Sequence, residues 1–358
     1  MNKETEEIEE AGEASPLPYV RIPHITYIRA IACFFIVILH TMNVSVILYG
    51  DQITLKQNMF SMMAVYLCTW AVPAFLMVTG ALQLNPGIKL SIRDLFAVYI
   101  WRVLKALILC CLVFQLFDIG MDGEGFTPGN ILGAFTDLFL GKSWAHLWYL
   151  YTLIGLYLLM PFFRMITEKC RIGDMRYGLG ITLLFISCLP LLRLADIQTA
   201  FVIPLTTIYP VYLFMGYAIE HGHFAMRKLY FGLLAAAGCL MLVGLTVYKY
   251  LAFTDMPDYL LGSYAAVPAV VLSFGVFGLM KGLKAGPALD KALLAVDRCS
   301  FGIYLFHMIF IRLALRYWQI NPYQYGAWMF AVIVTVIFAI SFVLVWILKK
   351  IPVINRII

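Results

Sequence analysis

A chain of 358 residues that is 63% hydrophobic and only 13% charged, with a mean hydropathy of +0.88, has too little polar surface to cover a water-soluble globule. Its net charge of +6 is scattered, with no lysine and arginine run suited to nucleic acid. The composition predicts an all-α, polytopic membrane protein.

The first 20 residues are acidic and lack the positive start of a signal peptide, so they read as a disordered cytoplasmic tail. Hydropathy then divides the chain into about ten transmembrane helices, near 24–48, 57–84, 92–117, 146–166, 176–192, 201–220, 228–250, 259–281, 292–314 and 325–348. One set of connections and the C-terminal tail carry fourteen lysines and arginines, among them Lys89, Arg93, Arg164, Lys281 and Lys349, against six in the other set. The positive-inside rule then places both termini in the cytoplasm of a cell whose inner, or plasma, membrane holds the protein. The longest outer connection, 118–145, is acidic through Asp118, Asp122, Glu124 and Asp137, and its NILGAFTDLFL segment reads as a helix lying on the surface.

The first span, HITYIRAIACFFIVILHTMNVSVIL, holds Arg29 near its start and His40 deep inside, with an apolar run between them. Eleven residues at about 100° each return to nearly the same angle, so both side chains leave one face, roughly 16 Å apart. A cation inside hydrocarbon costs on the order of 3 kcal/mol, so the pair reads as one wall of a polar groove rather than as a snorkelling arginine and a packing histidine. Pro73 and Gly80 in the second span predict a broken or kinked helix. The third carries Arg93 at its start, then Arg102 and Lys105 within apolar sequence. The fourth opens with Trp144, His146, Trp148, Tyr149 and Tyr151, an outer aromatic belt or a sugar-binding face. In the ninth, Arg298 precedes His307 by nine residues, again on one side of a helix. The eight cysteines lie mostly in apolar runs without CxxC spacing and read as packing residues. His221 and His223 do not share a helical face, so no metal site is expected.

Five stretches fall in an order that resembles a known family. The Arg29–His40 spacing matches the R-x10-H pattern of the membrane acyltransferase family 3. AVPAFLMVTG is similar to that family's VPxFFxxSG, and HLWYLYTLIGLYLLMP to its HLWFLxxLxxxYLxxP. YLFMGY and SFGIYLFH are similar to its FLxGY and SYGIYLxH. Thr79 stands where the family usually has Ser, Phe301 where it has Tyr, and the tight arginine pair common in the third span is absent. The resemblance covers residues 21–358 as one transmembrane domain of the stand-alone type, such as the acetyltransferase of enterobacterial common antigen.

The resemblance implies an acetyl-CoA, or other acyl-CoA, donor bound as a substrate rather than as a resident cofactor. It further implies an acceptor hydroxyl on an envelope polysaccharide or lipid-linked sugar. On that reading Arg29, Arg102, Arg93, Lys105 and Arg298 hold the donor phosphates, and His40, with Arg29, carries the catalysis as general base or acyl carrier. His146, Trp148, Tyr149 and His307 then bind the acceptor. The alternative is a transporter or exporter in which the same cations line a conduction path.

Overall fold

The computed structural model describes residues 21–358 apart from 89, 124, 126 and 258, so the acidic tail, Lys89 and Glu124 lie outside the described residues. The secondary structure among those described is all helix, without strands. The first helix, α1 (Pro23–Tyr49), is followed by α2 (Leu55–Leu67), whose start is closed by a Thr54–Gln57 capping box. A three-residue break at 68–70 separates it from α3 (Ala71–Gln83), so the second span is broken as expected, three to five residues ahead of Pro73. The turn α4 (Ile92–Asp94) widens into a π segment, Leu95–Ile100, and continues as α5 (Trp101–Asp122). Next come α6 (Pro128–Leu140), the helix expected in the outer connection, and α7 (Trp148–Lys169). They are followed by α8 (Ile172–Leu183), α9 (Tyr209–Glu220) and α10 (Lys228–Leu251). The chain closes with α11 (Val267–Met280), α12 (Pro287–Arg312), α13 (Ala327–Leu348) and α14 (Pro352–Asn355).

Among the described residues, eight helical runs are long and apolar enough to cross a membrane, which makes this a multi-pass membrane protein. The two remaining expected spans are cut short. Residues 201–220 are helical only over the 12 residues of α9, and 259–281 only over the 14 of α11. At 1.5 Å per residue these reach about 20 Å, short of a hydrocarbon core of roughly 30 Å. Asp118, expected in a loop, instead lies within α5, where it accepts from Arg312 Nη1 at 2.5 Å and Trp144 Nε1 at 2.6 Å.

Two helix pairs frame the interior. Helices α1 and α12 run parallel in nearly constant register. Tyr27 donates to Asp290 at 2.5 Å, Arg29 to Asp297, Cys33 to the Ser300 carbonyl at 3.5 Å, and Tyr49 to the Leu315 carbonyl at 2.6 Å. The sequence separations of these bonds stay between 263 and 268. In contrast, α3 and α9 touch backbone to backbone. A Cβ at Gly80 would fall on the Leu213 carbonyl, and one at Gly216 on the Met77 carbonyl, so each helix needs glycine where the other passes. Lys349, just past α13, donates to the Arg298 carbonyl at 2.7 Å, while Arg21 grips Asp290 at 2.8 and 2.9 Å. The start of α1, the start of α12 and the end of α13 therefore share one side of the bundle.

Candidate active site

A cavity of ≈ 830 Å³ lies against α1, α3, α5, α7 and α12. Its lining changes character along its length. One end presents Arg21, Arg29, Arg102, Arg164 and Arg298, with Asp297 as the sole carboxylate among the lining residues. Gln83, Tyr99 and Tyr157 line it further in, with Tyr157 within 3.4 Å of the Gln83 amide nitrogen. The far end is formed by His40, His146, Trp148, Tyr149, Tyr264 and Tyr304. With Arg21 paired to Asp290 and Arg29 to Asp297, an excess of three guanidinium groups still makes the first end suited to an anion.

Three of these arginines are held in place by different devices. Arg29 forms a two-pronged pair with Asp297, Nε at 2.6 Å and Nη2 at 2.8 Å, the planar geometry that arginine and carboxylate share. Asp297 is the more enclosed partner, 6% exposed against 29% for Arg29. Arg102 lies over the Phe301 ring at 5.5 Å, with its Nε 3.3 Å from the Ile357 carbonyl. Arg164 donates to the carbonyls of Gln83, Asn85 and Ile88, capping the C-terminal end of α3, where unpaired carbonyls attract a cation.

The other end is a cluster of three imidazoles. His40 Nδ1 lies 2.7 Å from His307 Nε2, with the rings stacked at 5.0 Å between centroids. His307 Nδ1 lies 3.0 Å from the Ile303 carbonyl, one turn back on α12. A carbonyl only accepts, so Nδ1 of neutral His307 carries the hydrogen and its Nε2 offers a lone pair. The hydrogen between the two rings therefore sits on His40 Nδ1. That leaves His40 Nε2 unprotonated, as the basic nitrogen on the cavity side of the pair. His146 packs at 6.2 Å from His40 and 5.7 Å from His307, and its Nε2 donates to the Leu305 carbonyl at 3.2 Å.

Of the residues singled out from sequence, Arg29, His40, Arg102, His146, Trp148, Tyr149 and Arg298 come together on this one cavity. His307 is fully buried behind His40 and does not line the cavity, so it reaches the site through His40. Arg93 is exposed on the turn α4 and also lies off the lining. Lys105 is turned over the Trp101 ring, 6.0 Å from its centroid, and likewise contributes nothing to the lining. Sequence reading missed Asp297, Tyr157 and Arg164; the last was read only as a topological charge.

The cavity thus joins an arginine-rich end to a cluster of imidazoles within a multi-pass membrane protein. A family model described as an acyltransferase domain, that of acyltransferase family 3, matches residues 22–350, and the chain belongs to that family of membrane acyltransferases. No curated protein and no solved structure matches the chain.

Proposed function

We propose that the protein moves a short acyl group, acetyl in the simplest case, from acyl-coenzyme A to a hydroxyl of an envelope sugar or lipid-linked glycan. The observation that carries this reading is a single cavity joining five arginines at one end to an imidazole base at the other. Coenzyme A has the matching form, with anionic phosphates at one end and a thioester at the end of a long neutral arm. Arg102, Arg164 and Arg298 hold the phosphates by charge-assisted bonds, and Arg29, braced by Asp297, completes the wall. Since acyl-CoA is made in the cytoplasm, the cationic end faces that side of the plasma membrane, and both termini with it.

His40 Nε2 takes the proton of the acceptor hydroxyl as its oxygen attacks the thioester carbonyl. The carbon–sulfur bond breaks, the thiolate leaves, and the proton held on His40 returns to it as the thiol. The donated bond from Nδ1 to His307 holds the tautomer in which Nε2 is basic, the part a carboxylate takes in other base-assisted sites. His307 is thus a positioning residue. The same nitrogen could carry the acyl group transiently, and a trapped acyl-protein after acid quench distinguishes that course.

The reading is tested with His40→Ala in membranes given radiolabelled acetyl-CoA. Transfer to glycan should fall by about 10²–10⁴-fold. Donor affinity should hold, because the cations lie about three helical turns away. Retained transfer would make His40 a packing residue, and solute flux through proteoliposomes without any acyl transfer would favour the transporter instead.

A further inference from the structure

Helices α9 and α11 begin late, and both late starts face the imidazole end of the cavity. Residues 197–208 ahead of α9 and 259–266 ahead of α11 are non-helical. In a membrane protein such backbone survives at depth only where it is buried in protein or lines a water-filled space, because lipid satisfies none of its amides and carbonyls. These segments line two further spaces. One, of ≈ 430 Å³, is walled by Thr206, Thr207, Tyr209, Gly262, Ser263 and Tyr264. The other, of ≈ 670 Å³, takes Arg193, Asp196, Gln198 and Thr199. Ile186 lines both, and Tyr264 lines both the smaller space and the cavity that holds His40.

The wall at the junction is aromatic. Trp148 lies 5.4 Å from Tyr209 and 5.8 Å from Tyr264, and Tyr264 is anchored by its carbonyl, which accepts from Tyr212 at 2.7 Å. Beyond it stand hydroxyls and open backbone. This alternation matches one chemical class, a pyranose chain, whose CH-rich faces lie on rings while its hydroxyl rim needs partners.

We propose that the two non-helical segments frame a hydrated vestibule that binds the sugar units flanking the acylated one, with Tyr264 as its inner threshold. The proposal rests on the acyl-transfer reading for the acceptor's arrival at His40. The vestibule itself rests on the short helices and the shared lining. The glycan thus meets His40 from the end opposite the arginines, and two substrates that never share a mouth can occupy the site together.

The test uses full-length Thr207→Cys and Ser263→Cys proteins in a Cys188→Ser background, since Cys188 is exposed close by. Membranes are treated with a bulky, membrane-impermeant maleimide and then given radiolabelled acetyl-CoA. Modification should proceed from water and lower incorporation into glycan about tenfold or more against the same untreated membranes, with acetyl-CoA affinity unchanged. Asp51→Cys, exposed just after α1, should label without losing incorporation. In parallel, Tyr264→Ala should raise the KM for glycan while sparing that for donor, and Tyr264→Phe should restore it. Failure of both cysteines to label from water, labelling by lipid-soluble maleimides alone, or labelled protein with full incorporation would overturn the vestibule. So would a parallel fall in donor affinity. A wild-type protein that passes no labelled acetyl group to glycan would instead overturn the acyl-transfer reading and leave the labelling result standing.

Discussion

The two helix pairs that frame the cavity are built on opposite rules. Helices α3 and α9 meet where side chains are missing, at Gly80 and Gly216, and their backbones pack with no intervening atom. Helices α1 and α12 meet through side chains that bond in register, Arg29 to Asp297 and His40 to His307 among them. The first contact is steric and tolerates nothing added. The second is polar, and each of its bonds can be lost singly. Substitutions in the first should therefore remove the protein, and substitutions in the second should remove a function from a protein that remains.

The sharpest way to break this contrast is Gly216→Val. Overpacking typically costs 1–3 kcal/mol even where neighbours can give, and here the obstacle is the Met77 backbone, so no rotamer relieves it. We expect the variant to be lost from membranes or to melt early when purified; normal yield and melting would mean the α3–α9 crossing is looser than described. Next in size is Arg102→Ala, expected to weaken acyl-CoA binding by about 1.5–3 kcal/mol, roughly 10–150-fold, with the fold intact. Arg102→Lys should recover only part, because the planar fork is gone. Equal binding of dephospho-CoA and CoA, together with an unaffected alanine variant, would remove Arg102 from the donor site.

Smaller again is His307→Leu, which fills the space but accepts no hydrogen bond from His40. Transfer should slow by about 10–100-fold in kcat with donor KM unchanged, the scale found for partners that orient a functional imidazole. His307→Gln offers an amide oxygen to the same N–H and should restore much of the rate. If leucine and glutamine behave alike, His307 is packing alone. The least effect is expected from Tyr49→Phe, which deletes one bond to the Leu315 carbonyl at the far end of the α1–α12 seam. A loss of about 0.5–1.5 kcal/mol in stability with normal kinetics would show how little a single rung contributes.

Much of this was legible in the sequence, and the reason is periodicity. Arg29 and His40 share a face because eleven residues close three turns, and that arithmetic needs no partner. Hydropathy likewise found the spans. It could not find the late starts of α9 and α11, since hydropathy measures transfer from water and not helicity; Pro204, Pro257 and Gly262 were the available signals. Nor could it find Asp297 or identify His307 as the neighbour of His40. Those contacts join residues 267 and 268 positions apart, and only the similar cation-to-histidine spacing of the ninth span hinted at them. Arg164 was hidden by its own plausibility as an interfacial charge, because its role depends on where the end of α3 arrives.

The 268-residue gap between Arg29 and Asp297 has a meaning for biogenesis. At roughly 5–20 residues per second, the first span leaves the ribosome tens of seconds before its counter-charge is made. During that interval a guanidinium worth about 3 kcal/mol of insertion penalty must shelter with lipid phosphates, water or the insertion machinery. Release into the bilayer and closure of the α1–α12 seam are thus events of late synthesis. A nascent chain stopped before residue 297 would keep α1 within reach of quality-control proteases, and one long enough for all of α12 to leave the ribosome and insert would not.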